Sequence, residues 1–287
     1  VIYWIRHVTA YTYAQKVDLA AHLLHLKPRS LPGQRVVSAR LLGSPAPDHT
    51  SETHDHFGNV ATRLFLAAPH TEFSISAESL VDVAFDPPPE MTPPWEMVRE
   101  AAPASEAAEF LYPSPLIPLV PEAAEYARPS FPAGRPMLAG LLDLNHRIRQ
   151  GFAFQAGVTS VTTPVAEVLR MRRGVCQDFT QVMIAALRGL GLPARYVSGY
   201  IRTRPPPGQP RRRGADQSHA WVAAWLGPGL GWAQLDPTNG IIARDEHVVL
   251  AWGRDFSDIS PLRGVLLGGG AHSLTVSVDM EPEGVVA

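Results

Sequence analysis

The sequence predicts an α+β protein: a β-rich N-terminal domain, then helices, then an antiparallel sheet. Three observations predict it. Residues 1–85 show the two-residue period of strands, as in Tyr3, Ile5, His7, Thr9, Tyr11 and Tyr13. From Phe179 the apolar residues Val182, Met183, Ala186, Leu187 and Leu190 follow at helical spacing. After that helix the chain returns to strand-like runs bounded by turn formers.

The elements follow in order. Phe73, Ile75, Ala77, Ser79 and Val81 alternate with their neighbours, and residues 36–42 and 60–66 are rich in branched side chains. His56-Phe57-Gly58-Asn59 reads as a hairpin turn, and residues 19–26 as another strand. Residues 86–95 contain five prolines and cannot form a regular helix or a central strand. They open a proline-rich linker over 86–135 with short helical pieces at 105–110 and 121–127. A core over 136–287 begins with a helix at 136–150, with Met137, Leu141, Leu144 and Ile148 on one face. Thr163 and Pro164 start a second helix as cap and first residue. Strands are expected at 194–201, 218–225 and 231–236, with 247–252 and 272–279 as the last two.

Composition excludes several classes. A formal net charge of −2 with 18% charged residues lacks the basic footprint of a nucleic-acid binder. The hydrophobic share of 45% supports a sizeable core, and 28 prolines imply many fixed turns. No run approaches the roughly 18 apolar residues that span a bilayer. Val1-Ile2-Tyr3-Trp4-Ile5-Arg6-His7 has no basic region leading into a long apolar stretch. A single cysteine cannot build an intrachain disulfide framework. A soluble cytoplasmic protein without nucleic-acid or membrane partners is therefore expected.

That cysteine, Cys176, is the most informative residue. It lies in Gly174-Val175-Cys176-Gln177-Asp178-Phe179, where a loop becomes the helix stopped by Gly189, Gly191 and Pro193. A lone cysteine is ordinarily a small buried hydrophobe. At a helix start, however, free N–H groups and the helix dipole stabilise a thiolate. Ser218-His219-Ala220-Trp221 and Leu235-Asp236-Pro237-Thr238 follow downstream. Thiol, imidazole and carboxylate are the nucleophile, base and orienting group of acyl transfer. Leu226-Gly227-Pro228-Gly229 marks a turn between the two later strands. If Trp225 and Leu230 close that hairpin, His219 faces Asp236 across it, and both point to one face.

These segments, continued by Arg188-Gly189-Leu190-Gly191-Leu192-Pro193-Ala194-Arg195-Tyr196-Val197-Ser198-Gly199-Tyr200 and by Gly231-Trp232-Ala233-Gln234-Leu235-Asp236-Pro237-Thr238-Asn239-Gly240, resemble the core of the bacterial transglutaminase-like superfamily. The N-terminal half resembles the β-rich domain that precedes this core in one bacterial subgroup. The matching residues there are His7-Val8-Thr9-Ala10-Tyr11-Thr12-Tyr13, Leu26-Lys27-Pro28-Arg29 and Asp55-His56-Phe57-Gly58-Asn59. The resemblance implies a papain-like core with Cys176 as nucleophile, His219 as base and Asp236 as orienter. A thiol triad needs no cofactor and no metal, and a peptide or protein substrate is expected. Members include amine-transferring crosslinkers, amide and peptide hydrolases, and inactive chains kept as binding modules. The subgroup is regarded as one of cysteine proteases, so a protease or amidase is expected, with transamidation as the alternative.

Four further features bear on the site. The Cys176 N–H is one natural oxyanion donor, and Gln155 and Gln177 are candidates for a second. Asp178 reads as a cap of the helix start. His49, His54 and His56 with Asp48, Glu52 and Asp55 form a stretch that has metal-ligand residue types but also reads as a turn. Arg211-Arg212-Arg213 lies in a long connection, 203–217, that is either a solvated tip or a lid beside His219.

Overall fold

The computed structural model describes residues 1–203 and 216–283. It contains two antiparallel sheets with helices between them in sequence.

The first sheet is organised around one long strand, β1 (Ile2–Leu24). It is joined by β2 (Gln34–Ser44), β3 (His49–His54), β4 (Val60–Leu66) and β5 (His70–Val83), in the order β2-β5-β1-β4-β3. Residues 2–24 alternate inward and outward, but the phase changes along the strand. Tyr3, Ile5, His7, Tyr13 and Val17 are buried, and then Ala20, His22 and Leu24. A bulge between Val17 and Leu19 absorbs the extra residue. The separate strand expected at 19–26 is instead the second half of β1.

Short helical pieces follow the proline run: α1 (Trp95–Ala101), two 3₁₀ turns (Ala102–Ala104 and Ala108–Leu111) and α2 (Pro121–Ala127) with a third turn at Arg128–Ser130. Residues 86–94 form no helix or strand, but they are tied down. Met137 N–H donates to the Pro93 carbonyl at 2.8 Å, and Leu138 N–H to Thr92 Oγ1 at 3.0 Å. Next come α3 (Met137–Gly151), β6 (Ala153–Phe154), α4 (Val165–Met171), β7 (Arg173–Gly174) and α5 (Cys176–Gly189).

The second sheet contains β8 (Ala194–Ile201), β9 (Gln217–Trp225), β10 (Trp232–Asp236), β11 (Ile241–Ile242) and β12 (His247–Gly253), in the order β11-β10-β9-β8-β12. Helix α5 packs on β8 and β9. Its interior residues from Asp178 to Arg188 are all buried, which suits the central helix of a core. At its far end Arg188 is fixed by the carbonyls of Phe110, Ala194 and Arg254.

The last strands, β13 (Leu262–Gly268) and β14 (His272–Pro282), do not extend this second sheet. Both pair with β1: Leu24 with Leu262, and Tyr3 with Pro282. The strand expected at 272–279 therefore exists, but it belongs with the N-terminal strands. Period-two alternation identifies a strand and says nothing of its partner.

One hydrophobic cluster spans the two sheets. Tyr3, Ile5, Val81 and Val83 of the first cluster with Leu141, Phe179, Val182 and Tyr200 of the second part. Side-chain amides bridge them as well. Gln34 donates Nε2 to the Val249 carbonyl at 2.8 Å and accepts the Val249 N–H at 2.7 Å. Asn59 does the same for Trp252, at 2.8 and 2.9 Å. Strand β12 is the edge of its sheet, and these amides stand in for a neighbouring strand on groups otherwise open to unwanted pairing.

Candidate active site

Cys176 is the first residue of α5. The turn before it is built tightly. Asp178 Oδ2 accepts the Val175 N–H and the Thr159 hydroxyl, each at 2.7 Å. A Cβ on Gly174 would fall 2.5 Å from that same oxygen, so a bare residue is needed for the close approach. Asp178 thus caps the helix as expected. Burial pushes its carboxyl upward, against the two hydrogen bonds. Cys176 itself is partly exposed, at the positive end of a 14-residue helix.

His219 lies near the start of β9 and is only 7% exposed. Its Nε2 meets Asp236 Oδ2 at 2.8 Å. The Cys176 thiol is near enough to act on the ring's charge, and with Nε2 engaged by Asp236 the free nitrogen is Nδ1. Burial alone would lower the His219 pKa. The hydrogen bond to Asp236, the Cys176 thiol and the charges beside the ring outweigh burial and raise it to about 10.

Asp236 is wholly buried at the end of β10. Its Oδ1 accepts the N–H groups of Thr238 and Asn239 at 3.0 and 3.2 Å. Oδ2 accepts Asn239 Nδ2 at 2.7 Å and meets His247 Nε2 at 3.2 Å, besides His219. Burial would raise this carboxyl, but the bonds from His219, His247 and Asn239 hold it well below the usual range. The hairpin register differs from expectation. Trp225 pairs with Trp232, not Leu230, and Leu235 pairs with Val222. Asp236 consequently reaches His219 diagonally. A shift of two residues keeps both on one face, which is why the contact survives.

The three residues read from the sequence thus converge. Asn239 and His247 were missed. The Asp236-Pro237-Thr238-Asn239-Gly240 run carried a signal, since an aspartate before such residues commonly accepts their N–H groups. His247 had no local signal. Of the oxyanion candidates, Gln177 Nε2 is occupied by the Val161 carbonyl at 3.3 Å. Gln155 is exposed, and its N–H donates to the Gly174 carbonyl at 2.8 Å, two residues before Cys176.

His219, Asp236 and His247 also bring one donor atom each within 4.8 Å of one another, as cation ligands do. Here Oδ2 already meets three nitrogens, those of His219, His247 and Asn239. The histidine-rich stretch does not converge with it. His49 and His54 are exposed on β3, and His56 Nε2 pairs with Glu109 at 2.8 Å. Arg211–213, the lid candidate, lie outside the described residues.

Comparison with known proteins decides the family. Residues 3–82 match the bacterial transglutaminase-like N-terminal region, and residues 131–237 match the transglutaminase-like superfamily. An uncharacterized protein of Mycobacterium tuberculosis is 40% identical over 290 residues, covering 98% of this chain and 92% of that one. The chain belongs to the transglutaminase-like superfamily. A "Putative Cysteine Protease" structure from Cytophaga hutchinsonii shares the fold, with a TM-score of 0.74 at 20% identity over 98% of this chain and 90% of that one. A Pseudomonas aeruginosa protein-glutamine gamma-glutamyltransferase is 38% identical over 68 residues, 23% of this chain and 10% of its own. Transglutaminase-like proteins are typically enzymes, and no helix among the described residues of this one is long and apolar enough to cross a membrane.

Proposed function

We propose that this transglutaminase-like protein is a thiol acyl-transfer enzyme that hydrolyses amide or peptide bonds through Cys176, His219 and Asp236. The supporting observation is the relay from a partly exposed thiol at a helix start, through a buried imidazole, to a fully hydrogen-bonded carboxylate. The Cys176 thiolate attacks the carbonyl carbon and pushes its π electrons onto oxygen. That oxyanion faces the first N–H groups of α5. As the tetrahedral intermediate collapses, the C–N bond breaks and the imidazolium of His219 protonates the leaving amine. Water, deprotonated by the now neutral ring, then cleaves the thioester to release the acid and restore the thiol. Asp236 keeps Nδ1 directed at sulfur in both steps.

An amine in place of water would make the same acyl-enzyme a transamidase. The short match to the glutamyltransferase favours keeping this second reading. Turnover of an amide panel with and without added primary amine separates them: free acid alone supports hydrolysis, an amine adduct supports transfer. Cys176→Ala and His219→Ala should each abolish turnover, and full activity in Cys176→Ala ends the covalent scheme. A free, unpaired thiol suits a reducing cytoplasm, and cell fractionation tests that placement.

A further inference from the structure

His247 opens β12, and two strands, β8 and β9, lie between it and the strand of Asp236. Its ring nevertheless reaches Asp236 Oδ2 at 3.2 Å. The route is open because β8 carries Gly199 here. A Cβ at Gly199 would stand 2.5 Å from Cη2 of Trp221, so the indole occupies the space a side chain would take. His247 rests edge-on against that indole, with ring centroids 5.2 Å apart, and 6.1 Å from the ring of His219.

The polar contacts of His247 are economical. The side chain is buried, and its Nδ1 has no partner among the described residues. Its one polar contact is therefore Nε2 with Asp236. Burying an imidazole for a single bond, with the other nitrogen desolvated, is a poor way to stabilise a core. An apolar side chain packed on Trp221 would serve stability better. The contact is instead well suited to holding a carboxylate. Asn239 Nδ2 and His247 Nε2 both meet Oδ2, while Oδ1 is held by two backbone N–H groups. The carboxylate cannot rotate without breaking several bonds, and His219 takes the remaining approach to Oδ2.

We propose that His247 is a positioning residue for the Cys176–His219 pair, acting by donating Nε2–H to Asp236 and so fixing the carboxylate that orients His219. The inference rests on the thiol acyl-transfer reading. It leaves no role for His247 in touching substrate.

The test uses the whole chain and iodoacetamide as a probe of Cys176, which needs no known substrate. Alkylation rates at pH 6 are compared for the wild type, His219→Ala, His247→Ala, His247→Gln and His247→Asn. The wild type should react much faster than His219→Ala; equal rates there overturn the parent reading itself. His247→Ala should slow alkylation about tenfold, the size expected for one lost hydrogen bond to a charged group. Glutamine carries its amide near the position of Nε2 and should restore the rate to within about twofold, whereas asparagine, matching Nδ1, should not. A fast wild type with an equally fast, folded His247→Ala overturns the proposal alone. If His247→Ala does not fold, the glutamine–asparagine contrast decides: fast and slow supports it, equal rates overturn it.

Discussion

His219 Nε2 lies 2.8 Å from Asp236 Oδ2, yet the two residues are not opposite one another on their strands. The bond is diagonal, so its alignment depends on the carboxylate being held from elsewhere. Five nitrogen groups surround that carboxylate: two backbone N–H groups on Oδ1, and the side chains of Asn239, His247 and His219 on Oδ2. Replacing Asp236 by Asn puts an amide donor or a neutral oxygen opposite His219 and loses the charge that sustains the imidazolium. Asp236→Asn should lower kcat by about 10²–10⁴-fold while leaving KM nearly unchanged, because the group orients the base and is not the base. Activity equal to the wild type would remove Asp236 from the mechanism.

The raised pKa of His219 ties this site to stability. Its folded value of about 10 lies above the ordinary 6.5, so the folded chain binds the proton more tightly than the unfolded chain. The stabilising contribution is complete below about pH 6.5 and is lost as pH rises toward 10. The lowered Asp236 carboxyl is the other half of the same pairing and is not a separate gain. Its contribution is present above about pH 3.8 and is lost as pH falls further. The Tm difference between the wild type and His219→Ala should therefore be steady near pH 6 and shrink between pH 7 and pH 10. A difference that stays constant through pH 10 would contradict the ion pair.

His22 predicts the opposite dependence. Its ring stacks on Phe73 with centroids 4.6 Å apart, and neither ring nitrogen has a partner. Burial, with the nearby His70, lowers its pKa from 6.5 to about 4. The unfolded chain takes up this proton first as pH falls, so stability is lost between pH 6.5 and about 4. His22→Phe keeps an aromatic ring against Phe73 and removes the titration. Its Tm should drop less than that of the wild type between pH 7 and pH 5, measured by calorimetry. Parallel Tm profiles would show that His22 does not govern acid sensitivity.

The candidate site was legible in the sequence where its signals were local. Cys176 was placed by the helical spacing that begins at Phe179, and His219 and Asp236 by strands flanking a glycine–proline turn. The register was not legible. Gly231 carbonyl accepts the Leu226 N–H at 2.9 Å, which lengthens the turn and pairs Trp225 with Trp232. Long-range pairing was equally hidden. Nothing near His272 says that its strand adds to β1, and nothing near His247 says that its ring crosses to Asp236. The bulge at Val17–Leu19 misled for a related reason: a change of phase inside one strand looks the same in sequence as the end of it.

Gly199 offers the sharpest check on how the sheet builds the site. It is paired with His219 on one side and with Val249 on the other, in the middle of β8. A methyl group there would lie 2.0 Å from the Val248 carbonyl oxygen and 2.5 Å from Cη2 of Trp221. The first contact is with backbone, which cannot rotate aside, and the second is with an indole that is itself buried. That indole also donates Nε1–H to Gln234 Oε1 at 2.8 Å, so it is held on two sides. Gly199→Ala must therefore displace both the β12 backbone and Trp221, which hold His247 and touch His219. The substitution should cost about 1–3 kcal/mol of stability through overpacking. It should also slow alkylation of Cys176 at pH 6, because the displaced rings no longer seat His219 against Asp236. A stable Gly199→Ala protein with the wild-type alkylation rate would show that the packing above β8 does not set the geometry of the base.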